Sequence, residues 1–318
     1  MKIVFFGTPK FSVPFLERLA RDKHFEITLV VTQPDRPVGR RSLVTASEVS
    51  QSATRLGIPT FAPQSLKSEE VKQRLAQIHA DAFIVVAYGN ILPSDLLSIP
   101  KLGSINVHPS LLPHFRGATP IQTAIAEGVT HTGISIMLLD NGMDTGPLLS
   151  QKELRIDDNE TASSLQEKIC QMGPDFLVNT LINYEIGKTK PVDQSSVGVS
   201  ITKILTRDSG QIDWKKTAVE IERSARAYEN WPQIWTTFFW NGRCRRIKLV
   251  KVCLCDLSID GEHGTVHIID SRLFLTTGDG SLELLQIQPE GSRILTVDQF
   301  LHGYRSLNGM HFGKCIAK

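Results

Sequence analysis

The chain reads as a doubly wound, mostly parallel α/β sheet followed by a small β-barrel of the oligonucleotide-binding type. Three observations predict this. Over the first two hundred residues, apolar strand runs alternate with amphipathic helical stretches, as parallel βαβ units require. From Gly187 to Ile204 the sequence GKTKPVDQSSVGVSITKI is poor in large apolar residues and broken by Gly, Pro and Ser. After it come short alternating strands separated by turn signals, of which Asn241-Gly242 between two β-type runs is the strongest.

The first-half strands are predicted at Ile3–Phe6, Ile27–Thr32, Ala82–Ala87, Ser104–His108 and Gly133–Leu139. Helical spacing falls between or after them, at Val13–Arg21, Ala46–Leu56, Glu69–His79, Ala118–Glu127 and Thr161–Tyr184, with N-cap chemistry at Thr161 to Ser164. One more helix, Thr217–Tyr228, precedes the barrel strands, and Gly278-Asp279-Gly280 marks a further turn. The division is therefore 1–186 for the α/β domain, 187–204 for a linker and 205–318 for the barrel. The loop from Pro34 to Ser42 is too rich in Pro and Gly for regular structure.

Composition sets the class. At 318 residues, 41% hydrophobic and 21% charged, the chain can bury a sizeable core in two domains. Apolar runs such as Ala82–Tyr88 and Ile134–Leu139 are too short to cross a bilayer, and Lys2–Gly7 reads as a strand rather than a signal peptide, so a cytoplasmic protein is expected. An odd count of five cysteines, scattered through a large chain, suits reduced thiols. Cys253 and Cys255 lack a second ligand pair, so no metal is expected. Residues 1–204 hold 20 Lys or Arg against 20 Asp or Glu, and the remainder 15 against 13, so neither part is strongly basic. Locally, Arg243, Arg245, Arg246, Lys248 and Lys251 fall in a stretch without an acid, a footprint for phosphate or simply a solvated strand face.

A dinucleotide or nucleoside triphosphate is disfavoured. The first strand-to-helix junction, Gly7-Thr8-Pro9-Lys10-Phe11-Ser12, has one glycine where a pyrophosphate site needs several, and no GxxxxGK[ST] loop occurs. The chemistry concentrates instead in GSINVHPSLLPHFRGATPIQ and LLDNGMDTGPLL. Alternation along Ser104–His108 sends Asn106 and His108 to one side of a strand, and Pro109, Pro113 and Gly117 end that strand in an irregular turn, where open sheets bind ligands. An amide donor and an imidazole suit negative charge growing on a carbonyl oxygen, and Asp144 could orient the imidazole and help manage its proton. Acyl transfer needs those parts. No Ser or Cys stands beside a general base, so direct attack by a substrate amine is more economical than a covalent acyl-enzyme.

The run Asn106 to Pro113, with Phe115-Arg116-Gly117-Ala118, Pro120-Ile121-Gln122 and Asp140…Asp144-Thr145-Gly146, resembles the folate-dependent formyltransferase family. Further matches are Phe6-Gly7-Thr8-Pro9, Thr32 to Pro37, Ala87-Tyr88-Gly89, Ile91-Leu92-Pro93, Ile212-Asp213-Trp214 and Trp231-Pro232, so the resemblance covers nearly the whole chain. It implies formyl transfer from 10-formyltetrahydrofolate to the amino group of initiator methionyl-tRNA by a monomer. It implies that Asn106 and His108 bind the oxyanion and that Asp144 positions His108 and supports proton removal from the attacking ammonium. Ser110, Leu111, Leu112, Pro113 and Asp140 would border the folate, with backbone around Tyr88, Ile91 and Leu92 receiving the pterin. Arg36, Arg40 and Arg41 would face the tRNA, as would Arg243, Arg245 and Arg246 of the barrel. One departure is the loop Gly39-Arg40-Arg41-Ser42-Leu43, shorter than the family's usual loop, which leaves open which arginine takes the main contact. A formyltransferase acting on a small amine, an amino sugar or purine precursor, would share the same three polar residues. A noncatalytic RNA-binding protein would leave them idle.

Overall fold

The computed structural model describes residues 1–38, 43–255, 257, 259–304 and 306–315, without the side chains of residues 36–38, 43 and 44. Two compact units account for it. The first comprises Met1–Pro120, His131–Arg155 and Gln166–Thr202; the second comprises Ile121–Thr130, Ile156–Leu165 and Lys203–Lys318.

The first unit is built on a seven-stranded sheet. In chain order its strands are β1 (Lys2–Gly7), β2 (Glu26–Val31), then β5 (Thr60–Phe61), β6 (Ala82–Val86), β7 (Ser104–His108), β8 (His131–Leu138) and β9 (Leu148–Arg155), while β3 (Arg36–Val38) and β4 (Leu43–Thr45) form a separate hairpin. The spatial order is β5-β2-β1-β6-β7-β8-β9. From β5 to β7 every pair is parallel; β8 and β9 add antiparallel. Helices α1 (Val13–Arg21), α2 (Glu48–Arg55), α3 (Glu69–Gln77) and the short α4 (Ser94–Leu97) lie between the parallel strands. Ser47 and Ser68 start α2 and α3 by accepting the amides of Ser50 and Val71. The central strands β1 and β6 are buried nearly throughout, which is why they read as unbroken apolar runs rather than alternating ones. Val4, Phe6, Leu29, Val31, Val71, Leu75, Phe83 and Tyr88 form one core on this sheet.

Two strands of this sheet were not foreseen. β5 is short, and β9, LLSQKELR, has too few apolar residues to announce itself. The expected irregular loop at 34–42 is corrected over 36–38, where Arg36, Pro37 and Val38 pair antiparallel with Thr45, Val44 and Leu43; residues 39–42 lie outside the described residues. Pro37 lacks a donor but sits in a two-stranded ribbon, where an edge position tolerates it. Arg40 and Arg41 lie outside the described residues, as does the side chain of Arg36. In the 187–204 segment, Val192 exchanges both backbone bonds with Leu148 of β9, and residues 200–202 bond to residues 113–116.

Helix α5 (Pro120–Glu127) and the 24-residue α6 (Ala162–Glu185) are each divided between the units. The second unit also holds α7 (Ala218–Ala227), started by a reciprocal Thr217–Glu220 capping box. Its antiparallel sheet comprises β10 (Trp235–Trp240), β11 (Arg243–Cys255), β12 (Val266–Ile269), β13 (Arg272–Thr276), β14 (Ser281–Pro289) and β15 (Leu295–Thr296). The order is β10-β11-β14-β13-β12 with β15 on β14, and among the described residues no ladder joins β10 to β12, so the expected barrel is a curled half-barrel. Asn241 and Gly242, both at positive φ, turn β10 into β11, as the Asn-Gly signal predicts. Within its largely aliphatic core, Phe238 meets Phe300 of α8 (Val297–Gly303) and Phe312 at centroid distances of 6.4 and 5.5 Å. The expectation of five reduced thiols is corrected. Phe312 docks in this core and the Gly313 amide bonds to Thr237, which brings the tail beside the hairpin, and Cys244 is disulfide-bonded to Cys315. An odd total leaves room for a pair, and sequence spacing cannot reveal one joined across 71 positions.

Candidate active site

The site is assembled at the end of β7 from two loops of the first unit. Asn106 pairs with Val85 and Met137, and His108 with Ser135, so the alternation read from the sequence places both polar side chains on the same side of the sheet. Asn106 is half-buried, and among the described residues its carboxamide makes no hydrogen bond. His108 is 4% exposed. One ring nitrogen, Nε2, lies 2.9 Å from the Phe115 carbonyl, which can only accept, so Nε2 carries the proton. The other, Nδ1, stands 3.5 Å from Asp144 Oδ2. Burial pushes the imidazole below its ordinary pKa, against the pull of the Asp144 carboxylate and the Phe115 carbonyl, so at neutral pH the ring is uncharged.

Asp144 is held by its backbone and its side chain. Its φ of +53° is a left-handed conformation that Asp tolerates better than most residues, and its Oδ2 accepts the Gly117 amide at 2.7 Å. Gly117 itself sits at φ +107°, where a side chain would be strained, so glycine allows that amide to face the carboxylate. The 140–146 loop is shaped by Asp140, whose Oδ1 accepts from the Gly142 amide at 3.0 Å and the Thr145 hydroxyl at 2.7 Å. At its end a Cβ on Gly146 would lie 1.9 Å from the Leu138 carbonyl oxygen, so no larger residue fits there.

The segment Ser110–Pro113 is fixed from below by a residue that sequence reading passed over. Buried Ser135, opposite His108, donates to the Ser110 carbonyl at 2.6 Å and accepts from the Leu112 amide at 3.0 Å. Gln151 adds bonds of 2.8 Å each to the Leu112 carbonyl and to Ser135. The only signal for Ser135 was a hydroxyl in the otherwise apolar run Ile134–Leu139. The Ser110 hydroxyl is spent on the His114 carbonyl at 2.6 Å. Leu112 and Pro113 are buried while Leu111 is partly accessible.

The other expected folate residues divide the same way. The Tyr88 ring packs edge-on against Phe6 at 5.5 Å and, with Leu92, belongs to the core, whereas Ile91 is 85% exposed. Tyr88 can therefore offer a ligand its backbone and not its ring. Its carbonyl is already met by the Thr8 hydroxyl at 2.9 Å and the Gln33 amide at 3.1 Å, so the ends of β1, β2 and β6 converge there. Thr8 and Gln33 lay inside matched motifs but carried no chemical signal of their own. Among the described residues no group of three or more His, Cys, Asp and Glu side chains is arranged to hold a metal ion.

In the second unit the three hairpin arginines do not form one patch. Arg243 and Arg245 are exposed and point to one side of β11; Arg246 points to the other, where its guanidinium stacks 3.7 Å above the Trp235 ring. Lys248, on the side of Arg246, is bonded to Gln233 at 2.7 Å.

Comparison with known proteins places the whole chain. The formyl transferase family profile matches residues 1–181, and that of the formyl transferase C-terminal domain matches residues 204–305. A methionyl-tRNA formyltransferase of Roseiflexus sp. (strain RS-1) is 40% identical over 318 residues, all of this chain and 97% of that protein. That of Myxococcus xanthus (strain DK1622) is 42% identical over 310 residues, 97% of this chain and 96% of that one. In fold, a sugar 3N-formyl transferase solved with dTDP and 5-N-formyl-THF superposes with a TM-score of 0.64 at 18% identity, over 92% of this chain and 99% of that chain. HypX from Aquifex aeolicus in complex with tetrahydrofolic acid superposes at 0.60 and 15% identity, over 97% of this chain and 48% of that chain. With both domain profiles matched and relatives aligned from end to end, the chain belongs to the methionyl-tRNA formyltransferase family of formyl transferases.

Proposed function

We propose that the chain moves the formyl group of 10-formyltetrahydrofolate onto the amino group of initiator methionyl-tRNA by direct attack of that amine. The deprotonated nitrogen forms the new bond to the formyl carbon, the carbonyl oxygen becomes an oxyanion, and collapse breaks the bond to N10 of the folate. Of the two protons the ammonium loses overall, one ends on N10 and one in solvent. The observation that carries this reading is Asn106: a carboxamide with no hydrogen bond among the described residues, on the same side of β7 as buried His108. A donor kept free in this way is suited to an oxygen that arrives with substrate.

His108 shares the oxyanion. It is uncharged at rest, with Nε2–H on the Phe115 carbonyl and Nδ1 facing Asp144, and negative charge growing beside it raises its affinity for a proton at Nδ1, so the ring acts on the intermediate through its positive charge. Asp144 orients the ring and assists removal of the ammonium proton. Leu111 and Ile91 offer accessible apolar surface to the folate, with backbone at Tyr88 to Leu92 and Ser110 to Pro113 and the Asp140 loop around it. Arg243 and Arg245 suit phosphate, and Arg36, Arg40 and Arg41 are assigned to the acceptor end of the tRNA. The proposed division of labour is catalysis in 1–186, a linker at 187–204 and RNA holding in 205–318, in a cytoplasmic monomer. Among the described residues no helix is long and apolar enough to cross a membrane.

The test offers purified protein 10-formyltetrahydrofolate with methionyl-tRNA, a small amine such as an amino sugar, or water alone. Formylated methionyl-tRNA is the expected product. Formylation of the small amine with methionyl-tRNA left untouched would transfer the reading to a small-molecule formyltransferase.

A further inference from the structure

We propose that Gln194 is a positioning residue for the Asp144 carboxylate, and so for formyl transfer, although it lies in a segment that composition reads as a linker. The inference rests on the proposed roles of His108 and Asp144.

Gln194 is half-buried while residues 191–193 and 195–199 are exposed. All the hydrogen-bonding capacity of its carboxamide is spent on the two site loops. Nε2 donates to the Asp144 carbonyl and the Gly146 carbonyl, each at 2.8 Å. Oε1 accepts from Arg116 Nη2 at 2.7 Å and Nε at 3.2 Å. The orientation of the amide is unambiguous, because carbonyls only accept and a guanidinium only donates. One side chain therefore ties the 140–146 loop, which carries Asp144, to the 113–117 loop, which supplies the Phe115 carbonyl to His108 and the Gly117 amide to Asp144.

The segment is also pinned on both sides of Gln194. Val192 exchanges bonds of 2.8 and 2.9 Å with Leu148. Ser200 receives the Arg116 amide at 2.9 Å and, through its hydroxyl, the Phe115 amide at 2.8 Å, while the Thr202 amide bonds to the Arg116 carbonyl at 2.7 Å. Asp144 needs such support. A residue at φ +53° persists only where its surroundings over-determine it, and Gln194 fixes its own carbonyl and that of Gly146 two residues on. At 3.5 Å the contact between His108 and Asp144 has no slack: a small outward relaxation of the loop removes the carboxylate from the ring. Displacements of that size in a catalytic group cost up to about 100-fold in rate.

The experiment compares Gln194→Met, which keeps the volume and removes every polar contact, with Gln194→Glu, which keeps an acceptor for Arg116 and loses both donations. Each is also made in the Asp144→Asn background. Steady-state kcat and KM for both substrates are measured, with thermal unfolding as the check on folding. Both single variants are expected to lose about 10- to 100-fold in kcat with KM for the folate within about 2-fold. In the Asp144→Asn background the same changes should cost less than about 3-fold, because a residue acting through Asp144 has nothing left to position. If Asp144→Asn is crippled while the Gln194 variants keep normal kcat, or if the losses multiply in the double variants, the inference is overturned and the site reading stands. Full turnover by Asp144→Asn would instead overturn the site reading itself. Should Gln194→Met fail to fold, Gln194→Glu, still linked to Arg116, decides the matter by the same comparison.

Discussion

Asp144 Oδ2 lies between the Gly117 amide at 2.7 Å and His108 Nδ1 at 3.5 Å, so one carboxylate oxygen both closes the loop and faces the imidazole. Loop geometry and ring orientation are therefore a single structural quantity, and substitutions at either end report on the same contact.

Replacing Asn106 or His108 with Ala should lower kcat by about 100-fold or more, the range for loss of an oxyanion donor, with folate affinity little changed. Asp144→Asn should do comparable harm. It keeps an acceptor for Gly117 and tolerates the left-handed backbone, which Ala would not. A folded His108→Ala protein with near-normal turnover would sink the catalytic assignment.

Stability should fall on mild acidification. Burial depresses the pKa of His108 in the native state, so below the ordinary histidine value of about 6.5 the unfolded chain binds the proton more readily. The stability the neutral ring contributes is complete above that value and is lost as pH falls from there toward the native pKa. His108→Gln removes this component. Melting temperatures recorded from pH 8 down to pH 5, roughly the histidine range, should fall less steeply in the variant; parallel curves would contradict the assignment.

Ser135→Ala strips the Leu112 amide of its acceptor and the Ser110 carbonyl of its donor inside a buried network. A loss of about 1–3 kcal/mol in unfolding free energy follows from leaving such groups unsatisfied. The folate KM should rise as Ser110–Pro113 loosens, while the KM for methionyl-tRNA stays put. Chemical denaturation together with substrate titration checks both halves.

On the hairpin, Arg243→Ala with Arg245→Ala should weaken tRNA binding and make its salt dependence shallower, because fewer counterions are released. Arg246→Ala should act differently, loosening the stack on Trp235 and lowering thermal stability more than the salt slope. Binding isotherms at several salt concentrations separate the two.

The Cys244–Cys315 bridge can be counted. Thiol titration of the unreduced, denatured protein should find Cys170, Cys253 and Cys255 free, and two further thiols after reduction. Five thiols before any reductant is added would place the tail differently.

Much of this was legible in the sequence because it is written locally. Alternation along Ser104–His108 is a property of five consecutive residues, and β7 keeps it; Asn241-Gly242 specifies its turn unaided. The supports were not legible, since Ser135, Gln151 and Gln194 act through partners 16 to 78 positions away. Nothing near Gln194 in PVDQSSVGVS distinguishes its amide from a solvated one. Likewise β9 became visible only once β8 gave it a partner, and the face of Arg246 followed from the hairpin's register against Trp235.

The second unit draws on Ile121–Thr130 and Ile156–Leu165 as well as on Lys203–Lys318, and this has a kinetic consequence. Synthesis delivers its first two pieces long before the rest, with strands of the other unit between them. They must wait exposed until the half-barrel strands emerge, so this unit closes late and through contacts of long sequence separation, the slow and aggregation-exposed route. Chaperone dependence and refolding yield should accordingly respond more to substitutions in α7 and the half-barrel core than to comparable ones in β1 or β6.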